Sequence, residues 1–105
     1  MDGARVGIDA TGAIVEFDDG AEHLLGHRAA DVLGQPMAEV IIPEPLRGMH
    51  ADGMARFLRT GEAFLIGRTA DLTALHADGT VLPVTLSLAI TSQDPLVITG
   101  VLRPA

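Results

Sequence analysis

The residue that most invites chemistry is His50, within "EPLRGMHADGMARFLRTGE" at positions 44–62. An imidazole can accept or donate a proton near neutral pH, and in its neutral form it can ligate a metal. Apolar residues recur around it at helical spacing. At roughly 100° per residue from Leu46, Phe57 falls near 20°, His50 near 40°, Met54 near 80°, Leu58 near 120° and Met49 near 300°. Asp52, Arg56 and Arg59 fall between about 220° and 280°. The apolar arc is centred almost on His50, so this side chain is expected to face a core or a pocket. Arg47, near 100°, is expected to reach water from the first turn.

A buried imidazole needs partners for its nitrogens. Hydrogen bonding to a backbone carbonyl, a water, Thr85 or Ser87 is one solution. Ligation of a metal by neutral imidazole in an apolar cavity is the other, the arrangement that holds haem iron. No carboxylate shares the stripe with His50, which disfavours acid–base catalysis. His23 and His27 have the i, i+4 spacing of two ligands on one helix face. No third ligand accompanies them, and both read as surface residues, as does His76 beside the Asp78-Gly79 turn. Asp18, Asp19 and Glu22 read as residues that cap and charge a helix N-terminus.

Composition removes other chemistries. The 105 residues contain no cysteine, so disulfides, thiolate metal sites and cysteine-linked chromophores are out. Fourteen acidic residues against seven basic ones leave a net charge of −7, which argues against nucleic acid as a partner. No apolar run approaches the ~18 residues of a membrane span, and no signal peptide is visible. A cytoplasmic protein is expected. With three Phe and neither Trp nor Tyr, a pocket would offer little for a flavin to stack on, so a flavin is not expected.

The elements that must position His50 follow from changes of period. Val6 and Ile8, the Asp9-Ala10-Thr11-Gly12 turn, then Ala13, Val15 and Phe17 read as a hairpin. Two short helical pieces follow, closed by Gly26 and Gly34. Pro36, Pro43 and Pro45 mark an irregular connector, and a helix over 44–59 ends at Gly61. "EAFLIGRTADLTALH" reads as a strand, and Asp78-Gly79 is a hairpin turn. Leu82, Val84, Leu86, Leu88 and Ile90 line one face of the next strand. A turn at Ser92-Gln93-Asp94-Pro95 leads to "LVITGVLR". Tight turns require antiparallel pairing, so the prediction is an α+β domain with helices packed on one sheet face.

The ordered set "GAIVEFDDGAEHLLGH", "ADVLGQPMAEVIIPEPLRGMH", "RFLRTGE" and "LTALHADGTVLPVTLSLAI" resembles a PAS domain, a small bacterial sensory module. The likeness runs over nearly the whole chain, read as one domain over 1–105. Asp18 stands where that family often has Asn. The resemblance implies a five-stranded antiparallel sheet with helices on one face and a small pocket between them. It further implies a non-enzymatic module of a larger signalling protein, a homodimer that responds to a ligand or partner and relays the signal to an effector domain.

Candidate pocket residues are Leu46, Met49, His50, Met54, Phe57 and Leu58 of the helix, Leu65 and Ile66 after it, and Leu86, Leu88 and Ile98 of the sheet. A small apolar ligand would suit such walls. No cofactor is required by the sequence, but haem is a candidate. His50 matches the proximal histidine of haem-binding oxygen-sensing PAS domains, in a run resembling "EP.R..H". The arginine those sensors place over the gas corresponds here to Ala70, with Arg68 two residues away. Two readings therefore stand beside the apolar-ligand sensor: a b-type haem sensor ligated by His50, and a small α+β enzyme or carrier using His50 in the same pocket.

Overall fold

The structure, a computed structural model, describes residues 3–63 and 65–105. Strands β1 (Ala4–Asp9) and β2 (Ile14–Phe17) open the chain. Helices α1 (Asp19–Leu25), α2 (Ala29–Val32) and α3 (Met37–Ile41) follow, then a 3₁₀ turn (Glu44–Leu46) and α4 (Arg47–Thr60). Strands β3 (Thr69–Leu75), β4 (Val81–Gln93) and β5 (Leu96–Pro104) complete it. All pairings are antiparallel, in the order β2-β1-β5-β4-β3. The predicted five-stranded α+β architecture is what the chain adopts.

Register explains which residues meet the helices. Ala4, Val6 and Ile8 pair with Leu102, Gly100 and Ile98, and these with Leu86, Leu88 and Ile90 of β4. Alternation places all of them on the inner face. The first hairpin departs from simple alternation. A register shift between Gly7 and Ile8 puts Ile14 and Phe17 inward and leaves Val15 46% exposed, not the expected Ala13, Val15 and Phe17 set. A bulge of this kind is invisible to a period-two pattern. Its turn is held by Asp9, whose Oδ1 accepts from the Thr11 N–H at 2.9 Å and the Thr11 hydroxyl at 2.6 Å.

The second turn also moves. A further shift between Ile90 and Ser92 lets β4 run to Gln93, which pairs with Leu96, so the reversal is tighter than the Ser92–Pro95 turn expected. On the outer face the Thr99 hydroxyl bonds Thr91 at 2.8 Å and donates to Glu16 at 3.4 Å. Thr85 and Ser87 lie on this outer side, where Thr85 donates to Asp71. Neither can serve the helices, so neither is the partner suggested for His50.

Two devices join sheet to helices. Asp18 caps α1: its Oδ1 accepts from the Ala21 N–H at 2.8 Å and from the Arg5 N–H of β1 at 3.0 Å. A short acceptor at the N-cap position is what that end of a helix requires. At the other end of α1, Gly26 is left-handed, with φ +78°, and closes the helix onto the Glu22 carbonyl. The β3–β4 turn rests there, its Ala77 N–H donating to the Leu25 carbonyl at 2.8 Å.

Candidate functional site

The two halves of the inner sheet face are unequally covered. Over β1 and β5, against α1 and the segment that follows it, Ala4, Val6, Phe17, Ile98 and Leu102 are 2–6% exposed and Leu25 is fully buried. Over β4 and β3 only Val84 and Ala74 are buried. Leu82, Leu86, Leu88 and Ile90 are partly exposed, and Leu72 is 39% exposed. Leu86 and Leu88 lean over Gly100, where a Cβ would come within 3.0 and 3.3 Å of their methyl carbons. The inner wall is therefore apolar, narrowed over β5 and incompletely roofed toward β3.

On that side α3 touches β3, while α4 packs on α3 and the 3₁₀ turn and contains no buried residue. Met54 and Phe57 pack against the core as partly buried side chains. His50 is partly buried with them, and burial pushes its pKa below the ordinary 6.5. The imidazole is thus neutral at pH 7, and it makes no hydrogen bond among the described residues. His50, expected to face a core or a pocket, is partly rather than fully buried. The stripe is also narrower than the wheel draws it. Met49 is 73% exposed and Leu58 52% exposed, so both stand in water at the margins of the arc. Leu46 is partly buried in the 3₁₀ turn. Leu65 and Ile66 are partly buried, and Ile66 forms a parallel bridge to Leu88, tying the segment after α4 to the wall.

Arg47 departs from expectation. Its Nε donates to the carbonyls of Ala38 and Ile42, each at 3.0 Å, and Nη2 makes a longer contact of 3.4 Å to the carbonyl of Glu39. Instead of reaching water it bonds carbonyls within α3 and at its C-cap, Ile42. The proline-marked connector supplied these carbonyls, a long-range fact that a wheel for one helix omits.

The remaining histidines separate. His23 is exposed, whereas His27 is partly buried, its ring 6.5 Å from Phe17 in a T-shaped contact and its Nε2 enclosed without a partner. Among the described residues no three histidine, aspartate or glutamate side chains group to hold a metal. His76, expected in solvent, is partly buried against Gly26 because the β3–β4 turn docks on α1. Two shallow concavities border α1. One of about 400 Å³ is lined by Glu22, His23, Gly26, His27 and Arg28; another of about 230 Å³ lies between α1 and the ends of β1 and β5. Neither includes an α4 residue.

The family model described as PAS fold matches residues 1–104. The chain belongs to the PAS family. Among curated relatives, the PAS domain is 44% identical over 80 residues to an uncharacterized protein of Azorhizobium caulinodans, covering 76% of this chain and 11% of that protein. It is 33% identical over 85 residues to the sensor protein FixL of Bradyrhizobium diazoefficiens, covering 81% of this chain and 17% of FixL. The chain thus spans less than a fifth of these relatives.

Solved structures show the same fold at low identity. The PAS domain of an HTR-like protein from Haloarcula marismortui superposes with a TM-score of 0.73 at 19% identity, covering 98% of this chain and 81% of that one. The PAS domain of the Cronobacter turicensis quorum-sensing receptor RpfR, in complex with C12:0, gives 0.76 at 13% identity, covering 99% and 94%. The PAS assignment makes this a sensory-type domain, and no described helix is long and apolar enough to cross a membrane.

Proposed function

We propose that this PAS domain, residues 1–105 as one unit, is the sensory module of a larger signalling protein and takes a small apolar ligand between α4 and the β3–β4 half of the sheet. The observation that carries the reading is the uneven covering of one continuous apolar face. Leu82, Leu86 and Leu88 of the sheet remain partly exposed, and Met54, Phe57 and His50 of α4 are likewise only partly buried. Exposed apolar area on both walls is what a ligand would remove from water. His50 would anchor a polar head such as a carboxylate. The C12:0 complex of the RpfR domain supports the reading, since the same fold accommodates that ligand. Homodimerisation, in the cytoplasm, and relay to an effector domain complete the proposal.

The test is binding of dodecanoate by calorimetry to delipidated protein, wild type beside Leu88→Trp. Tryptophan at 88 would fill the gap, so affinity is expected to fall at least tenfold while the fold is retained. Equal binding by the two proteins, or none by wild type, would overturn the reading.

A second reading rests on His50 itself. A neutral, partly buried imidazole without a protein partner fits an axial ligand, and Leu86 and Leu88 supply an apolar wall. Haem, when bound, would supply an iron site for a gas or a redox change. Ala70, which matches the position of the gas-binding arginine, lies on the inner face opposite Leu86. Hemin titration of wild type and His50→Ala decides: a Soret band lost in the variant favours this reading, and an unchanged or absent band removes it.

A further inference from the structure

We infer that Arg47 is the positioning residue of the α4 site: by gripping backbone carbonyls of α3 and its C-cap it sets where the first turn of α4, and with it His50, stands against α3. The inference rests on the reading of the α4 gap as a ligand site, and its geometry is independent of which ligand enters. A 14-residue helix needs something to hold it in place, and α4 has few of the usual means. Its N-cap, Leu46, gives no side-chain hydrogen bond, its first turn has no acidic residue, and none of its residues is buried. Its neighbours in the fold are α3 and the 3₁₀ turn. Across that boundary the Arg47 guanidinium reaches three carbonyls, of Ala38, Glu39 and Ile42.

Two of those carbonyls, Ala38 and Glu39, belong to the second and third residues of the five-residue α3. The third, Ile42, lies at the bend that leads into the 3₁₀ turn. One planar group thus fixes both α3 and the direction of the connector, as the fixed fork of a guanidinium allows and a lysine ammonium does not. His50 is three residues on, on the same side of the helix as Arg47. The C-terminal part of α4 has no such anchor and only partly buried contacts at Met54 and Phe57. α4 is therefore pinned at Arg47 and free to adjust at its far end, which gives the site a pivot.

The experiment follows the His50 ring by NMR pH titration, its signal assigned by loss in His50→Gln, together with amide hydrogen exchange, all without ligand. Arg47→Met is expected to move the His50 midpoint up toward the ordinary 6.5 and to speed exchange at residues 50–54 at least tenfold, with β1 and β5 amides unchanged. Arg47→Lys is expected to recover part of both effects, and it carries the test if Arg47→Met does not fold. An unmoved His50 midpoint overturns the inference, as does an acceleration shared equally by β1 and β5. A shifted midpoint without any dodecanoate binding would sink the ligand reading alone; dodecanoate binding with an unmoved midpoint would sink this one alone.

Discussion

The imidazole of His76 lies directly over Gly26. A Cβ at position 26 would come within 2.5 Å of its Cε1 and 2.7 Å of its Nε2. The contact brings the β3–β4 turn onto the end of α1, fifty residues away in sequence. In the turn itself His76 Nδ1 accepts from the Asp78 N–H at 3.1 Å. Gly26 is required twice, by its φ of +78° and by the ring above it.

Gly26→Ala is therefore expected to cost about 2–3 kcal/mol, the sum of a left-handed Cβ and a clash, which lowers the melting temperature by roughly 10 °C in a domain of this size. Adding His76→Ala should return the steric part but not the backbone part. Thermal melts of the single and double variants measure it; purely additive losses would mean that the two residues do not touch.

Asp18 joins β1 to α1 through one oxygen. Asp18→Ala is expected to cost about 1–2 kcal/mol, because both the Ala21 and Arg5 N–H groups lose their acceptor. Asp18→Asn, which keeps a carbonyl oxygen at that place, should stay within about 0.5 kcal/mol of wild type. Urea unfolding distinguishes them, and equal losses would show that charge rather than acceptance matters.

The two halves of the inner face should respond differently to truncation. Leu25→Ala, at a fully buried site, is expected to cost about 3 kcal/mol or more. Leu88→Ala, at the partly exposed wall, should cost less, about 1–2 kcal/mol, since part of its surface already meets solvent. Comparable losses in urea unfolding would mean that α4 covers the sheet as closely as α1 does.

His50 gives the protein an acid-side sensitivity. Its folded pKa is depressed below 6.5 by burial, so between those two values the unfolded chain binds more protons. Stability from this group is present above about pH 6.5 and is lost as pH falls through 6.5 toward the folded value. His50→Gln should flatten the stability profile below about pH 6.5 relative to wild type. Asp9 and Asp78, held low by the hydroxyls of Thr11 and Thr80, act in the same direction but only around and below pH 3.8. Urea melts at pH 5.5 and 7.5 test the point; an identical slope in the variant would place His50 in water.

Much of this was legible in the residues. The order of strands and helices, the caps at Asp18, Gly26 and Gly61, and the turn at Asp78-Gly79 all arise from local rules that act over a few neighbours. So does the inward bias of His50, which needs only the 3.6-residue period. The first bulge escaped the pattern because one inserted residue reverses the parity of Ala13 and Val15 relative to Phe17 without changing their apolarity.

Sequence alone, then, determined the α+β architecture, the PAS resemblance and the helix face on which His50 lies. Tertiary structure decided what that face meets. Met49 and Leu58 ended in water because a helix on a sheet buries only the residues nearest the contact, a narrower strip than its apolar arc. Arg47 turned from solvent to the carbonyls of α3, and His76 from solvent to Gly26, because their partners come from other segments. Spacing within one helix carries no information about which unpaired groups a distant segment will present to it.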